Sequence, residues 1–159
     1  LHFDLEPLPL PVRADAAGLE QILMNLVRNA SDATRNGGEI RVVTRRAGAT
    51  EVARLTEFAD QAGGAIRLEV ADSGVGMDAE VQAHLSEPFF TTEPPGEGTG
   101  LGLASVYGIV QQCGGAIQVE SAAGRGASFR VYLERAGLAP KSLPAHPPGR
   151  CGLTPSCVT

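Results

Sequence analysis

The stretch that most limits what this chain can become is Thr91 to Val110. Gly96, Gly98, Gly100 and Gly102 take every second position there before the sequence turns apolar. Leu103, Val106, Tyr107, Val110 and Cys113 then recur at helical spacing, so a helix should begin near Gly100 to Gly102. A glycine-rich loop feeding a helix N-terminus is a physical anion site. Its backbone N–H groups lack intrahelical partners, the helix dipole favours negative charge, and missing side chains permit close approach. A phosphorylated ligand is the first expectation and a plain linker ahead of a core helix the second; the loop alone does not separate them.

Bulk properties narrow the field. A chain of 159 residues with 43% hydrophobic and 19% charged content suits one globular domain with a real core. A net charge of −5, with Lys141 as the single lysine, argues against non-specific nucleic-acid binding. No run approaches a membrane span and no signal segment opens the chain, so no direct membrane contact is expected. A start at Leu1 rather than Met suggests a fragment of something longer. Cys113, Cys151 and Cys157 are odd in number and form no C-x-x-C pair, which points to a reducing cytoplasm. Cys113 reads as core packing, and Cys151 and Cys157 beside His146 match no standard zinc spacing.

Taken in order, the chain opens with a proline-rich edge strand or connector over residues 1–12. Asp15 is the expected N-cap of a helix running from Ala16 to about Arg35. Leu19, Ile22, Leu23, Leu26, Val27, Ala30 and Ala33 form its apolar stripe. Asn25, Asn29 and Asp32 stack on the flank of that stripe, where asparagine is a mediocre helix former. They read either as a solvated face or as a row of hard oxygen donors suited to Mg²⁺. Asn36-Gly37-Gly38 should end the helix, with glycine available for a left-handed cap.

Alternation around Ile40, Val42 and Thr44 predicts a strand, and residues 47–64 form an insert with a short helix expected over 51–59. Ala65 to Asp72 is a clearer strand whose parity puts the Asp72 carboxylate on the core side. That carboxylate needs donors. They could be an exocyclic amine such as adenine's, reached past Gly74 and Gly76, or backbone N–H groups of its own Asx-turn. Asp78 should cap a short helix from Ala79 to His84, followed by an irregular flap anchored by Phe89 and Phe90. Gly114-Gly115 closes the helix behind the glycine loop, and strands follow at 116–121 and 127–134. From Ala136 onward the Pro-, Gly- and Ser-rich tail, residues 136–159, is expected to be a linker or disordered, which leaves 1–135 as the domain.

Four segments together resemble the ATP-binding domain of sensor histidine kinases, in the superfamily shared with DNA gyrase and MutL. Leu19-Glu-Gln-Ile-Leu-Met-Asn-Leu-Val-Arg-Asn-Ala-Ser-Asp-Ala33 resembles the family's N box, and Asp72-Ser-Gly-Val-Gly-Met77 its first glycine box. Pro88-Phe-Phe-Thr-Thr92 is similar to the F box and Gly96-Glu-Gly-Thr-Gly-Leu-Gly-Leu103 to the second glycine box. Their order and spacing agree, and the wording is closest to the nitrogen-regulation type.

The resemblance implies an α+β fold, a two-layer α/β sandwich whose mixed, mostly antiparallel sheet is covered on one face by helices (the Bergerat-type ATP-binding fold). It implies that Asn29, helped by Asn25, holds Mg²⁺ on the ATP phosphates. It further implies that Asp72 accepts the adenine amino group, with Gly74 and Gly76 shaping the base pocket. Thr91 and Thr92 of the F box join the nucleotide-binding positions, and Gly98, Thr99, Gly100, Leu101 and Gly102 would offer backbone N–H groups to the phosphates. Residues 77–98 would be the ATP lid. Two positions depart from the pattern: Glu93 stands where a lysine often follows the Thr-Thr pair, and Asp32 where many relatives carry a basic residue. Arg28 and Arg35 are the nearby candidates to compensate, and a modest nucleotide affinity is expected.

The implied reaction is transfer of the ATP γ-phosphate to a histidine on a separate dimerisation domain, with a response regulator served indirectly. His2, His84 and His146 lack the acidic neighbour and helical context of such an acceptor, so the chain should bind ATP without phosphorylating itself. An ATPase or a protein-serine kinase of the same superfamily is one alternative; such ATPases carry a glutamate base where Asn25 stands, and an amide cannot take that proton. A catalytically silent nucleotide-binding module is the other.

Overall fold

The computed structural model describes residues 1–34, 37–55, 64–88, 90 and 100–136. Strands β1 (His2–Leu5), β2 (Ile40–Arg46), β3 (Ala65–Asp72), β4 (Ala116–Ser121) and β5 (Ala127–Glu134) form one sheet in the order β1-β2-β3-β5-β4. Only β1 runs parallel to its neighbour; the other pairings are antiparallel. Helices α1 (Ala16–Ala33) and α4 (Gly102–Gln112) cover one face, and the single turn α2 (Ala49–Val52) and α3 (Ala79–Ala83) are the other helices among the described residues. This is the mixed α+β sandwich that the motifs imply.

The core lies between the helices and the sheet. Ile22, Leu26 and Ala30 of α1 meet Val106 and Val110 of α4 above Val42, Val70, Phe129, Val131 and Leu133. These are the positions that period 3.6 in the helices and period 2 in the strands select. Asp15 caps α1 by accepting the Gly18 N–H at 3.2 Å. The helix stops two residues before its expected end. The Thr34 hydroxyl donates to the Ala30 carbonyl at 2.8 Å, and this side-chain bond closes the last turn ahead of the glycines.

Two features depart from the sequence reading. In the insert a single helical turn covers Ala49–Val52, two residues ahead of the expected start, and residues 53–55 are not helical; the rest of the expected 51–59 helix falls on residues 56–63, outside those described. The second sheet face is also less open than alternation suggests. Arg67, which strand parity sets on the face opposite Asp72, is only 7% exposed. It bonds Glu51 at 2.8 Å, while Tyr132 donates its hydroxyl to the same carboxylate at 2.7 Å. Leu55, Ala65, Ala116 and Tyr132 form a small second core beneath them. A polar residue buried at strand parity looks like a solvent-facing one until its partner in a distant loop is known.

Candidate functional site

Two asparagines and one glycine define the centre of the site. Asn25 and Asn29 lie one turn apart on the half-buried flank of α1, which packs along α4. A Cβ on Gly102 would sit 3.7 Å from Asn25 Oδ1 and 3.8 Å from Asn29 Oδ1. Both amide oxygens therefore converge on the first turn of α4, and among the described residues neither side chain has a hydrogen-bond partner. Gly100 adopts φ 62°, a left-handed turn that glycine makes without steric cost, and the chain enters α4 through Leu101. The first i→i−4 bond of α4 runs from the Ser105 N–H to the Leu101 carbonyl at 2.9 Å. The N–H groups of residues 102–104 precede that bond and carry the positive end of the helix dipole.

Asp72 closes β3 at the other end of α1. One of its oxygens accepts the Gly74 N–H at 2.8 Å, which is the Asx-turn weighed from the sequence. A carboxylate has room for about four hydrogen bonds, so the turn leaves capacity for a ligand amine. Burial pushes the Asp72 carboxyl above its ordinary value, and the N–H groups of Gly74 and Ala127 pull against that shift. Gly74 has an internal steric reason as well: a Cβ there would lie 2.5 Å from the Ala33 carbonyl oxygen. The loop after Asp72 thus rests on the C-terminus of α1, about 6 Å along the axis from Asn29 at 1.5 Å per residue. Gly74, Asn29, Asn25 and Gly102 consequently lie along α1, with Asp72 tied to Gly74.

A hairpin that the sequence reading left without a role braces this arrangement. Ser121 Oγ accepts the Met77 N–H and donates to the Gly126 carbonyl, each at 2.8 Å. Gln82 of α3 donates to the carbonyls of Met77 and Ser121, each at 3.1 Å. The Gly124 N–H reaches the Val75 carbonyl at 2.7 Å. Gly76, at φ 64°, has no room for a side chain, since a Cβ would come within 2.0 Å of the Ala122 oxygen. Nothing in the spacing of Ser121 or Gln82 marks them, because their partners are backbone atoms of remote loops.

The segment toward the flap begins as expected, with Asp78 capping α3 by accepting the Val81 N–H at 2.9 Å. Phe90 lies against the His84 ring at 5.4 Å between centroids. His84, the C-cap of α3, has Leu85 beside it in sequence and meets Glu87 Oε1 at 2.8 Å from Nδ1 across the turn. Arg28 is engaged with Asp32 at 3.9 Å. Thr91, Thr92, Gly98 and Thr99, with Phe89, Glu93, Arg35 and the 137–159 tail, lie outside the described residues. Among the described residues, no cluster of His, Cys, Asp or Glu could hold a metal, and no helix is long and apolar enough to cross a membrane.

Residues 14–137 match the model of the histidine kinase-, DNA gyrase B- and HSP90-like ATPases. The chain belongs to that family. It is an ATP-binding domain of the sensor-kinase branch. It is 43% identical over 125 residues to the sensor kinase CckA of Brucella abortus, spanning 79% of this chain and 13% of that protein. It is 39% identical over 144 residues to the sensory histidine kinase/phosphatase NtrB of Rhodobacter capsulatus, spanning 88% of this chain and 37% of that one. The domain therefore spans well under half the length of these relatives, which carry further segments. Among solved structures, the catalytic domain of histidine kinase ThkA superposes with a TM-score of 0.64 at 30% identity, covering 84% of this chain and 78% of that one. Full-length ShkA in complex with AMPPNP superposes at 0.62 with 30% identity, covering 85% of this chain and 26% of that one.

Proposed function

We propose that residues 1–135 form the catalytic domain of a cytoplasmic two-component sensor histidine kinase, and that it passes the γ-phosphate of ATP to a histidine on the dimerisation domain of the same protein. The observation that carries this reading is the convergence of the Asn25 and Asn29 oxygens on the α4 N-terminus, with Gly74, whose N–H the Asp72 carboxylate accepts, against Ala33 one turn beyond Asn29. The spacing suits a nucleotide laid along α1, with its purine against Asp72 and its phosphates at Gly102. The complex of ShkA with AMPPNP, a relative in fold and sequence, supports a triphosphate ligand.

The donor set fits Mg²⁺. Asn25 and Asn29 offer neutral amide oxygens, the hard ligands this ion accepts alongside phosphate, in a cradle that a Cβ on Gly102 would narrow. When bound there, the ion would neutralise charge on the phosphates. The protein's own work is orientation. Asp72 takes the adenine amino proton as a hydrogen bond, which fixes the base and the direction of the chain of phosphates. Gly100, Leu101 and Gly102, continuing Gly98 and Thr99, offer backbone N–H groups to the phosphate oxygens. Thr91 and Thr92 complete the nucleotide contacts from the lid. Phosphoryl transfer needs such positioning and charge stabilisation more than covalent help.

Asn25 also argues against a hydrolase. A water-activating base must accept a proton at neutral pH, and an amide does not. Incubation with labelled ATP and the histidine-bearing dimerisation domain should label that domain, while the chain alone stays unlabelled and releases little phosphate. Rapid hydrolysis by the isolated chain that survives Asn25→Ala would favour the ATPase reading. Label on the chain itself would overturn the separate-acceptor reading.

A further inference from the structure

The residue whose carboxylate is proposed to read the purine is paired through its backbone to a hairpin, while its side chain makes its own turn. Asp72 pairs across the sheet with Ala127, the first residue of β5. Gly126, immediately before it, adopts φ 76° and lies so close that a Cβ would come within 1.9 Å of the Asp72 carbonyl oxygen. The carbonyl of Gly126 and the N–H of Ala127 belong to one peptide unit, and that unit is planar and trans. Fixing the direction of the carbonyl therefore fixes the direction of the N–H. What fixes the carbonyl is the Ser121 hydroxyl, which donates to it at 2.8 Å.

We infer that Ser121 is a positioning residue for nucleotide recognition, acting on Asp72 through the Gly126–Ala127 peptide. The same oxygen accepts the Met77 N–H at 2.8 Å, so one hydroxyl holds both sides of the loop that carries Gly74 and Gly76. Gln82 completes the clasp by donating to the carbonyls of Met77 and Ser121. A serine suits this task because its hydroxyl donates once and accepts at the same time. Bonds in such a chain polarise one another, so the Ala127 N–H becomes a better donor toward Asp72 when the Gly126 carbonyl is engaged. Ser121 touches no part of the ligand in this arrangement. The inference rests on the reading of Asp72 as the purine acceptor.

Two ligands separate positioning from general structural damage: ATP, which uses both ends of the site, and inorganic triphosphate, which uses only the phosphate end. With Mg²⁺ present, Ser121→Ala should weaken ATP and ADP binding about tenfold while triphosphate binding changes less than about twofold. Ser121→Thr, which keeps the hydroxyl, should restore ATP affinity. The Ala127 amide proton should move upfield in Ser121→Ala and return in Ser121→Thr, reporting the peptide directly. Should the alanine variant fold poorly, Ser121→Cys keeps the volume with a weaker donor and should give a smaller loss of the same kind. Equal loss of ATP and triphosphate affinity, or unchanged ATP affinity, would overturn the inference. Asp72→Asn distinguishes the two levels: loss of ATP binding with Asp72→Asn but not with Ser121→Ala removes the Ser121 role alone. No loss with Asp72→Asn removes the purine reading beneath it.

Discussion

Asn25 and Asn29 bring their side-chain oxygens to the same point, 3.7 and 3.8 Å from where a Cβ on Gly102 would stand at the start of α4. Two residues a turn apart on one helix are thereby tied to the first turn of another. The absence of a side chain at residue 102 keeps the space between them open.

That opening sets stability against function at one position. A Cβ at Gly102 meets its neighbours only at ordinary contact distance, so Gly102→Ala should fold normally. Alanine in a helix is more stable than glycine by up to about 1 kcal/mol, so the melting temperature should rise. The added methyl lies where the phosphates and the two amides are proposed to meet, so Mg-ATP affinity should fall about tenfold. A thermal melt and a calorimetric titration of one variant check both halves. A rise in melting temperature with unchanged affinity would move the phosphate site away from α4.

Asn29 should matter only when the metal is present. Asn29→Ala removes one hard oxygen from the flank of the buried stripe of Ile22, Leu26 and Ala30 and leaves the stripe itself in place. Its cost in stability should stay under about 1 kcal/mol, since alanine is the better helix former. ATP affinity in Mg²⁺ should drop about tenfold or more, while affinity in EDTA should be the same as for the unaltered chain. Titrations with and without the metal give the comparison. Equal losses in both would mean that Asn29 contacts the nucleotide directly.

Asp72→Asn should separate binding from folding. Asparagine Oδ1 can still accept the Gly74 N–H, so the Asx-turn survives. Burial raises the folded-state carboxyl above its ordinary value, so the folded state holds that proton more tightly than the unfolded chain does. Such a group contributes stability below the unfolded value and loses it as pH rises through the folded one. At pH 7 the ionised Asp72 is therefore a net cost, and the amide variant should melt no lower and somewhat higher. Its NH₂ group facing the adenine amine sets donor against donor, so ATP affinity should fall at least about tenfold. Melting at pH 7 with a parallel titration tests the pair of outcomes.

The sequence made the helix-side half of the molecule legible because period alone decides it. β3, β4 and β5 have the bounds that alternation gives, and Asp15 and Asp78 cap the helices they precede. The glycines and asparagines of the site were visible as costs: asparagine inside a helix and glycine alternating through a loop need a reason. Arg67, Tyr132 and Ser121 gave no such signal. Arg67 alternates like any solvent-facing strand residue and is buried only because Glu51, 16 positions earlier, folds over it. Ser121 ends a strand as serine often does, and its bonds to Met77 and Gly126 depend on how two loops interleave. Polar side chains whose partners come from elsewhere in the chain carry no period.

The sheet face away from the nucleotide should govern acid stability and leave binding alone. Burial pushes Glu69 upward, but bonds from the Ser128 hydroxyl and Arg130 and the charge of Arg67 outweigh it and hold the carboxyl below its ordinary value. Burial likewise works against Glu51, and Arg67 with the Tyr132 hydroxyl and the Gly48 N–H outweighs it. Both folded-state values lie below the unfolded one, so this stabilisation is present above about pH 4.5 and is lost as pH falls through the depressed values. Arg67 sits between the two carboxylates at 2.8 and 2.6 Å with its side chain 8% exposed. Arg67→Met leaves both acids without their shared cation, and breaking a buried pair from one side costs about 3–5 kcal/mol. The variant should melt well below the unaltered chain at pH 7 and show a shallower decline in melting temperature below about pH 4.5, since Ser128 and Arg130 still hold Glu69. Its Mg-ATP affinity, measured below the melting temperature, should not change, because the network and the nucleotide lie on opposite faces of the sheet. A matching loss of affinity would mean that the two faces are coupled through β3, the strand that carries both Arg67 and Asp72.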